Sequence, residues 1–344
     1  MKVCILGPII SDKHFGGIAT FNEGLKEAFE ENGDNVLVIT DIDNNDCNTR
    51  KFKKIKIILN DKKIIECIKE FNPDIIISSM WYGILNKSIK KVMPKSTVIQ
   101  FIHGFPTYRY KFYKRYMLNS ILKLIRKNSD FFIANSTFTS CINNEIYGIT
   151  CDKVIHIGIK EKFEEFEKVK SKNTKIVFAG RIVKEKNVDK VCEIFEYINK
   201  FCENTELTVI GEGPEKNKLS NTYKNKKIKF IGKKTREEMF KILEESDIFI
   251  SLNPHEPFGL VYLEALLKKC KIICPNTGGQ VEFLSGIEEV LFIDINDYTR
   301  YKDKFIELIQ MDCFDDTNLK EKFLYFNYQR VVNEIIELKT GLKV

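Results

Sequence analysis

At 344 residues the chain is long for one domain and comfortable for two, and 43% hydrophobic with 30% charged side chains marks an ordinary globular protein. The formal charge of +7 is modest and makes no case for nucleic acid. No apolar run is long enough to cross a bilayer, and the opening Met1–Pro8 is broken too soon for a signal peptide, so a cytoplasmic protein is expected.

From Lys2 onward, short β-rich runs alternate with helical patterns. Strands are predicted over Lys2–Leu6, Asn35–Thr40, Asp74–Ser79, Thr97–Ile102, Asp130–Ala134 and Lys153–Ile157, with helices over Thr20–Asn32, Lys62–Phe71 and Thr137–Ile146. The alternation restarts with strands at Thr174–Ala179, Glu206–Ile210, Lys227–Ile231, Asp247–Leu252, Lys271–Cys274 and Val290–Ile293, and helices near 188–202, 235–245 and 259–268. Two such series predict an α/β protein of two doubly wound, Rossmann-like domains with parallel sheets covered on both faces. Residues 160–173, rich in Lys and Glu, read as a solvated junction, which sets the domains at 1–160 and 161–318. A last helix is expected over Leu319–Leu338. Open α/β sheets bind ligands at the carboxyl ends of their strands, so the cleft between the two domains is the expected site.

The ten cysteines include no Cys-x-x-Cys pair, and Cys4, Cys192 and Cys274 fall in core patterns. Reduced structural thiols are expected, not zinc or disulfides. There is no H-E-x-x-H motif and no Ser-His-Asp order, which argues against zinc or serine hydrolysis.

The most informative segment is Glu256-Pro257-Phe258-Gly259-Leu260-Val261-Tyr262-Leu263-Glu264. It sets two carboxylates across a loop that becomes a helix, separated by about 12 Å. The free N–H groups at the helix start, near Phe258 to Val261, suit an anion between them. Sugar, diphosphate and ribose have this layout. Upstream, Arg181 and Lys186 lie five apart in Gly180-Arg181-Ile182-Val183-Lys184-Glu185-Lys186-Asn187, a strand-to-helix loop. Arg offers a planar fork to phosphate oxygens and Lys a compact charge. A solvated basic loop is the bland account of that segment taken alone. Gly211-Glu212-Gly213-Pro214 and Thr277-Gly278-Gly279-Gln280 are further turns after strands, and His14-Phe15-Gly16-Gly17-Ile18-Ala19 opens a helix after the first strand. His103 stands just past a strand end, before Gly104 and Pro106.

Together these motifs resemble the retaining GT-B glycosyltransferases of family 4, the glycosyl transferases group 1, over nearly the whole chain and most strongly between Thr174 and Leu284. The resemblance implies two Rossmann-like domains facing across a cleft, with the last helix, 319–344, packing back on the first. It implies transfer of a sugar from a nucleoside diphosphate sugar to a glycan or lipid-linked acceptor, with retention and without a metal. Glu256 would hold sugar hydroxyls, Glu264 the ribose, Arg181 and Lys186 the diphosphate, and His103 the transferred sugar. Gly16, Gly17, Glu212, Phe258, Gly259, Leu260 and Val261 would line the donor site. Relatives often show an Asn-Gly-(Ile/Val)-Asp turn where this chain has Ile157-Gly158-Ile159-Lys160. Asp41-Ile42-Asp43 matches the Asp-x-Asp metal motif of the other glycosyltransferase fold, a match that arises easily by chance. A sugar-nucleotide binding protein or epimerase of the same fold is the main alternative function.

The segment Tyr108–Lys127 interleaves seven basic residues with aromatic and aliphatic ones and contains no acidic residue. It reads either as a sheet-covering helix or as a docking element for anionic lipid, which would make the protein peripheral on the inner face of the membrane. No nucleic-acid partner is expected.

Overall fold

The computed structural model describes residues 1–11, 16–43, 46–106, 111–161, 163–164, 166–168, 171–224, 227–311 and 316–341. The chain divides into two compact units, Met1–Lys160 with Tyr325–Val344, and Glu161–Leu324.

The first unit is built on seven parallel strands: β1 (Lys2–Leu6), β2 (Asn35–Thr40), β3 (Thr49–Lys51), β4 (Ile75–Ser79), β5 (Thr97–Ile102), β6 (Phe131–Ala134) and β7 (Lys153–Val154). Their order is β3-β2-β1-β4-β5-β6-β7, so the strand order reverses between β1 and β4. The central strands are near-continuous apolar runs, such as Ile75-Ile76-Ile77, because helices cover both faces. The helix Lys62–Phe71 has the predicted bounds: the Asp61 carboxylate caps its first turn through Lys63 N–H, and Asn72 ends it in the left-handed conformation.

The second unit carries β8 (Thr174–Ala179), β9 (Thr205–Ile210), β10 (Ile228–Gly232), β11 (Ile248–Ile250), β12 (Lys271–Pro275) and β13 (Val290–Ile293), in the order β10-β9-β8-β11-β12-β13. All pairings are parallel, and the reversal falls between β8 and β11. One face packs Phe178, Ile194, Phe195 and Ile198 into a core closed by Phe305.

Four expectations need correction. Strand β3 was not foreseen, and β7 stops at Val154, because beyond Ile155 the chain turns to meet the C-terminal segment. A Cβ on Gly158 would lie 2.8 Å from the Tyr328 amide nitrogen, and Ile159 N–H donates to the Phe326 carbonyl at 2.8 Å. The single helix expected over Leu319–Leu338 is two, Asp316–Tyr325 and Tyr328–Thr340, broken where the Asn327 side chain caps the second. The second lies against the helix Gly17–Glu31, with Tyr328 filling the space that a side chain at Gly24 would need. The junction is no plain solvated linker. Glu161 forks with Arg236, Phe163 stacks on Phe323 at 5.8 Å, and Lys168 donates to the carbonyls of Lys268 and Lys269.

Candidate functional site

In the second unit the expected residues gather at the sheet reversal, where loops after β8 and β11 diverge and leave room above the strand ends. After β9, a Cβ on Gly211 would lie 1.8 Å from the Gly180 carbonyl that follows β8, and one on Gly213 2.2 Å from that of Ile182. Glycine at both positions lets the 180–182 and 211–213 backbones touch, and Ile182 N–H reaches Glu212 O at 2.9 Å. One turn of 3-10 helix, Lys184–Lys186, then delivers Lys186 to Glu256, with Nζ 2.5 Å from Oε2.

Glu256 follows β11 and is largely buried, its side chain 13% exposed. Burial opposes its ionisation, but the Lys186 ammonium, the Asn253 amide at 3.0 Å and the Arg181 charge outweigh that and hold its pKa below the ordinary carboxylate value. Asn253 was not singled out from sequence, although Asn253-Pro254 is a turn signal, and its Oδ1 accepts from His255 N–H.

Gly259 caps the helix Leu260–Leu267 at φ +94, in the left-handed region that glycine tolerates. Tyr262 N–H closes the first turn on Gly259 O at 2.9 Å. The amides of Leu260 and Val261 precede that turn and have no acceptor among the described residues. Phe258 is buried against Phe283, 5.1 Å between centroids. Gly279 seats the Gly278-Gly279-Gln280 turn on this loop: its N–H donates to Glu256 O at 2.7 Å, and a Cβ there would meet Pro257 O at 2.1 Å.

Glu264 lies in the same helix with its side chain only 6% exposed, and Arg236 Nη1 reaches its Oε1 at 2.7 Å. Burial raises its pKa against the pull of Arg236, and the nearby Glu161 charge adds to the rise. Sequence reading missed Arg236, the second residue of an ordinary Thr235–Glu238 capping box. Glu212 is exposed and pairs with Lys216 at 2.6 Å, one turn along.

In the first unit, His103 follows β5 and packs against Phe21, 4.9 Å away edge-on, and Phe101, stacked at 6.1 Å. Burial pushes its pKa down to about 3, which makes the ring neutral at physiological pH. Gly16 and Gly17 open the helix Gly17–Glu31; both are exposed, and a Cβ on either meets nothing within 4 Å. Packing does not require glycine there, and His14 lies outside the described residues. The Asp-x-Asp carboxylates are engaged separately, Asp41 accepting from the Tyr82 hydroxyl and Asp43 pairing with Lys51.

The helix Phe112–Lys127 buries only Ile125 fully, with Ile121 and Leu122 packed partly beside it. Its first half is a sheet-covering element in neither composition nor placement: Phe112 is 81% exposed, and Tyr113 and Tyr116 are each 68% exposed. Tyr108, Arg109 and Tyr110 of the predicted basic segment lie outside the described residues. Among the described residues no helix is long and apolar enough to cross a membrane.

The profile of the family described as "Glycosyl transferases group 1" matches residues 159–330. The alpha-monoglucosyldiacylglycerol synthase of Acholeplasma laidlawii is 24% identical over 315 residues, 77% of each chain. Sucrose-phosphate synthase from Thermosynechococcus elongatus superposes with a TM-score of 0.80 over 99% of both chains, at 16% identity. The Anabaena protein HepE, in complex with UDP, gives 0.76 over 99% of this chain and 100% of that one, at 14% identity.

Proposed function

Because the chain belongs to the glycosyl transferases group 1 family and has the GT-B architecture of two doubly wound sheets, we propose that it is a retaining, metal-independent family 4 enzyme. It moves a sugar from a nucleoside diphosphate sugar to a glycan or lipid-linked acceptor. The observation that carries this reading is the Lys186–Glu256 pair, with Arg181 nearby, beside the amides of Leu260 and Val261 that have no acceptor among the described residues. Cations and oriented N–H groups at one carboxylate suit a polyanion attached to a hydroxyl-rich ring. The UDP complex of HepE, on the same fold, agrees with that ligand class.

Arg181, Lys186 and the helix-start amides stabilise the diphosphate as its oxygen leaves the anomeric carbon. Glu256 holds sugar hydroxyls, Glu264 ribose hydroxyls, and His103 of the first unit the transferred sugar. The acceptor oxygen bonds to the anomeric carbon on the face the leaving group vacates, and its proton passes to the departing phosphate. Attack on that same face gives retention without a protein nucleophile. The two cations supply the charge that a metal would otherwise bring to the diphosphate.

The test is turnover of UDP-, ADP- and GDP-hexoses in EDTA, with the product anomer read by NMR. An inverted product or a chelator-abolished rate sinks the mechanism. Donor consumption that is indifferent to acceptor points instead to an epimerase or hydrolase.

We propose further that a lipid-linked acceptor is met at an anionic bilayer. The exposed Phe112, Tyr113 and Tyr116 beside Lys111, Lys114 and Arg115 give a helix surface of aromatic and cationic groups without a carboxylate. Neutralising those three cations should abolish co-sedimentation with phosphatidylserine vesicles; unchanged sedimentation removes the membrane from the proposal.

A further inference from the structure

One chain of hydrogen bonds in the first unit is unused by the mechanism above, and it ends on His103. Gly7 follows β1, Asn22 lies on the helix Gly17–Glu31, Ser79 ends β4, and His103 follows β5. The four meet at the sheet reversal. Asn22 and Ser79 are almost wholly buried. Asn22 Nδ2 donates to the Pro8 carbonyl at 2.7 Å, Ser79 Oγ lies 3.0 Å from Asn22 Oδ1, and His103 Nε2 lies 3.1 Å from Ser79 Oγ. A Cβ on Gly7 would sit 2.3 Å from Asn22 Nδ2, so glycine is what admits the amide.

Each link has only one possible direction. The Pro8 carbonyl can only accept, which turns the NH2 end of the Asn22 amide toward it and the oxygen toward Ser79. That oxygen can also only accept, so it takes the single hydroxyl proton of Ser79. Ser79 Oγ then has lone pairs alone to offer the ring, and His103 Nε2 must carry the hydrogen. The ring is neutral, so Nδ1 is left with a lone pair, and no described residue bonds to it.

We propose that Asn22 and Ser79 are positioning residues that fix His103 as its Nε2–H tautomer and so make Nδ1 an obligate hydrogen-bond acceptor. Resting on the assignment of His103 to the transferred sugar, this gives the site a selectivity. The sugar must present a hydroxyl that donates to Nδ1, and a group that only accepts meets a lone pair. A site built around one hydroxyl discriminates strongly against an analogue lacking it.

The deciding experiment is long-range 1H–15N NMR of the full chain labelled with 15N-histidine, without ligand, with His103→Ala used only to assign the ring. Wild type should show a protonated Nε2 and an unprotonated Nδ1. Ser79→Ala should remove this bias and give an averaged pair of shifts, with circular dichroism checking the fold. An Nδ1–H ring in wild type, or a folded Ser79→Ala protein with the wild-type pattern, overturns the inference. If Ser79→Ala does not fold, the wild-type spectrum still decides.

The second arm compares UDP-, ADP- and GDP-hexoses with the monodeoxy analogues of whichever is turned over. Ser79→Ala should lower kcat/KM by about tenfold for the parent donor, as expected for one hydrogen bond to a neutral partner. It should leave one deoxy analogue unaffected, the one lacking the hydroxyl read by Nδ1. Equal losses on every donor overturn the selectivity. Failure to turn over any of them counts against the proposed function, while the ring spectrum judges the tautomer separately.

Discussion

Replacing Lys186 by Met keeps the aliphatic stem and removes the charge, which leaves the Glu256 carboxylate with Asn253 as its only hydrogen-bond partner among the described residues. Breaking a fully buried ion pair from one side costs about 3–5 kcal/mol, because a charge is stranded in a poor solvent. Here the side chains are 20% and 13% exposed, so water recovers part of that cost and about 2–3 kcal/mol is expected. For a unit of this size that lowers the midpoint of its thermal transition by roughly 4–12 °C. Glu256→Gln should cost less, since the remaining ammonium can turn toward water. In the double variant no charge is stranded, and about half of the Lys186→Met loss should return. Turnover should behave differently. Lys186→Met is expected to lower kcat by about 10²–10³, the scale for removing one preorganised group that stabilises leaving charge, and the double variant should be no better. The assay is a double-mutant cycle with thermal melts and nucleoside diphosphate release measured on the same preparations. If stability and turnover recover together, the pair is structural and the catalytic assignment is wrong.

Arg236→Met should free Glu264 from its ion pair and raise its pKa further, so KM for the donor rises by about tenfold while kcat changes little; an unchanged KM dissociates Glu264 from ribose. The raised pKa of Glu264 also gives donor affinity a pH limit. Affinity should fall as pH drops through that pKa, above the ordinary value of about 4.3, because the carboxylate gains a proton and no longer accepts freely; titration calorimetry across that range, compared with Glu264→Gln, checks it. For His103 the folded pKa is depressed, so the unfolded chain binds the extra proton first. The His103 contribution to stability is present above about 6.5 and is lost as pH falls toward 3, and urea melts of His103→Phe should lack that part of the slope. Gly279→Ala puts a methyl into the Pro257 carbonyl and should cost about 1–3 kcal/mol while shifting the Glu256 loop; wild-type stability and donor KM together refute the seating described for this turn.

Much of the fold was legible because both sheets are parallel and buried, which forces apolar runs such as Ile75–Ser79 and Thr174–Ala179 between amphipathic helices. Where local sequence and tertiary contacts disagree, the reading failed. Strand β3 is three residues of Thr-Arg-Lys at a sheet edge, too short and polar to carry a pattern. The break before Tyr328 is set by Asn327 capping a new helix and by the space above Gly24 and Gly158, which no periodicity encodes. In the site, Glu256, Lys186 and the helix-start amides were found because they share a short motif or a strand-end loop. Arg236, Asn22 and Ser79 act across the fold, Ser79 and Asn22 being 57 positions apart, and each looks locally like a helix or strand residue. The Lys and Glu of residues 160–173 suggested solvation because a sequence does not reveal that Lys168 has backbone carbonyls waiting for it.

In the proposed donor site the Lys186 ammonium and the Glu256 carboxylate neutralise each other. On the proposed reading a sugar nucleotide would trade partners there: its phosphates would draw the ammonium away, and its hydroxyls would take over the carboxylate left behind. A bare nucleoside diphosphate can perform only the first exchange and would leave Glu256 without its counterion. Spent nucleotide should therefore be held less well than the intact donor, a bias toward release written into the pairing of two side chains.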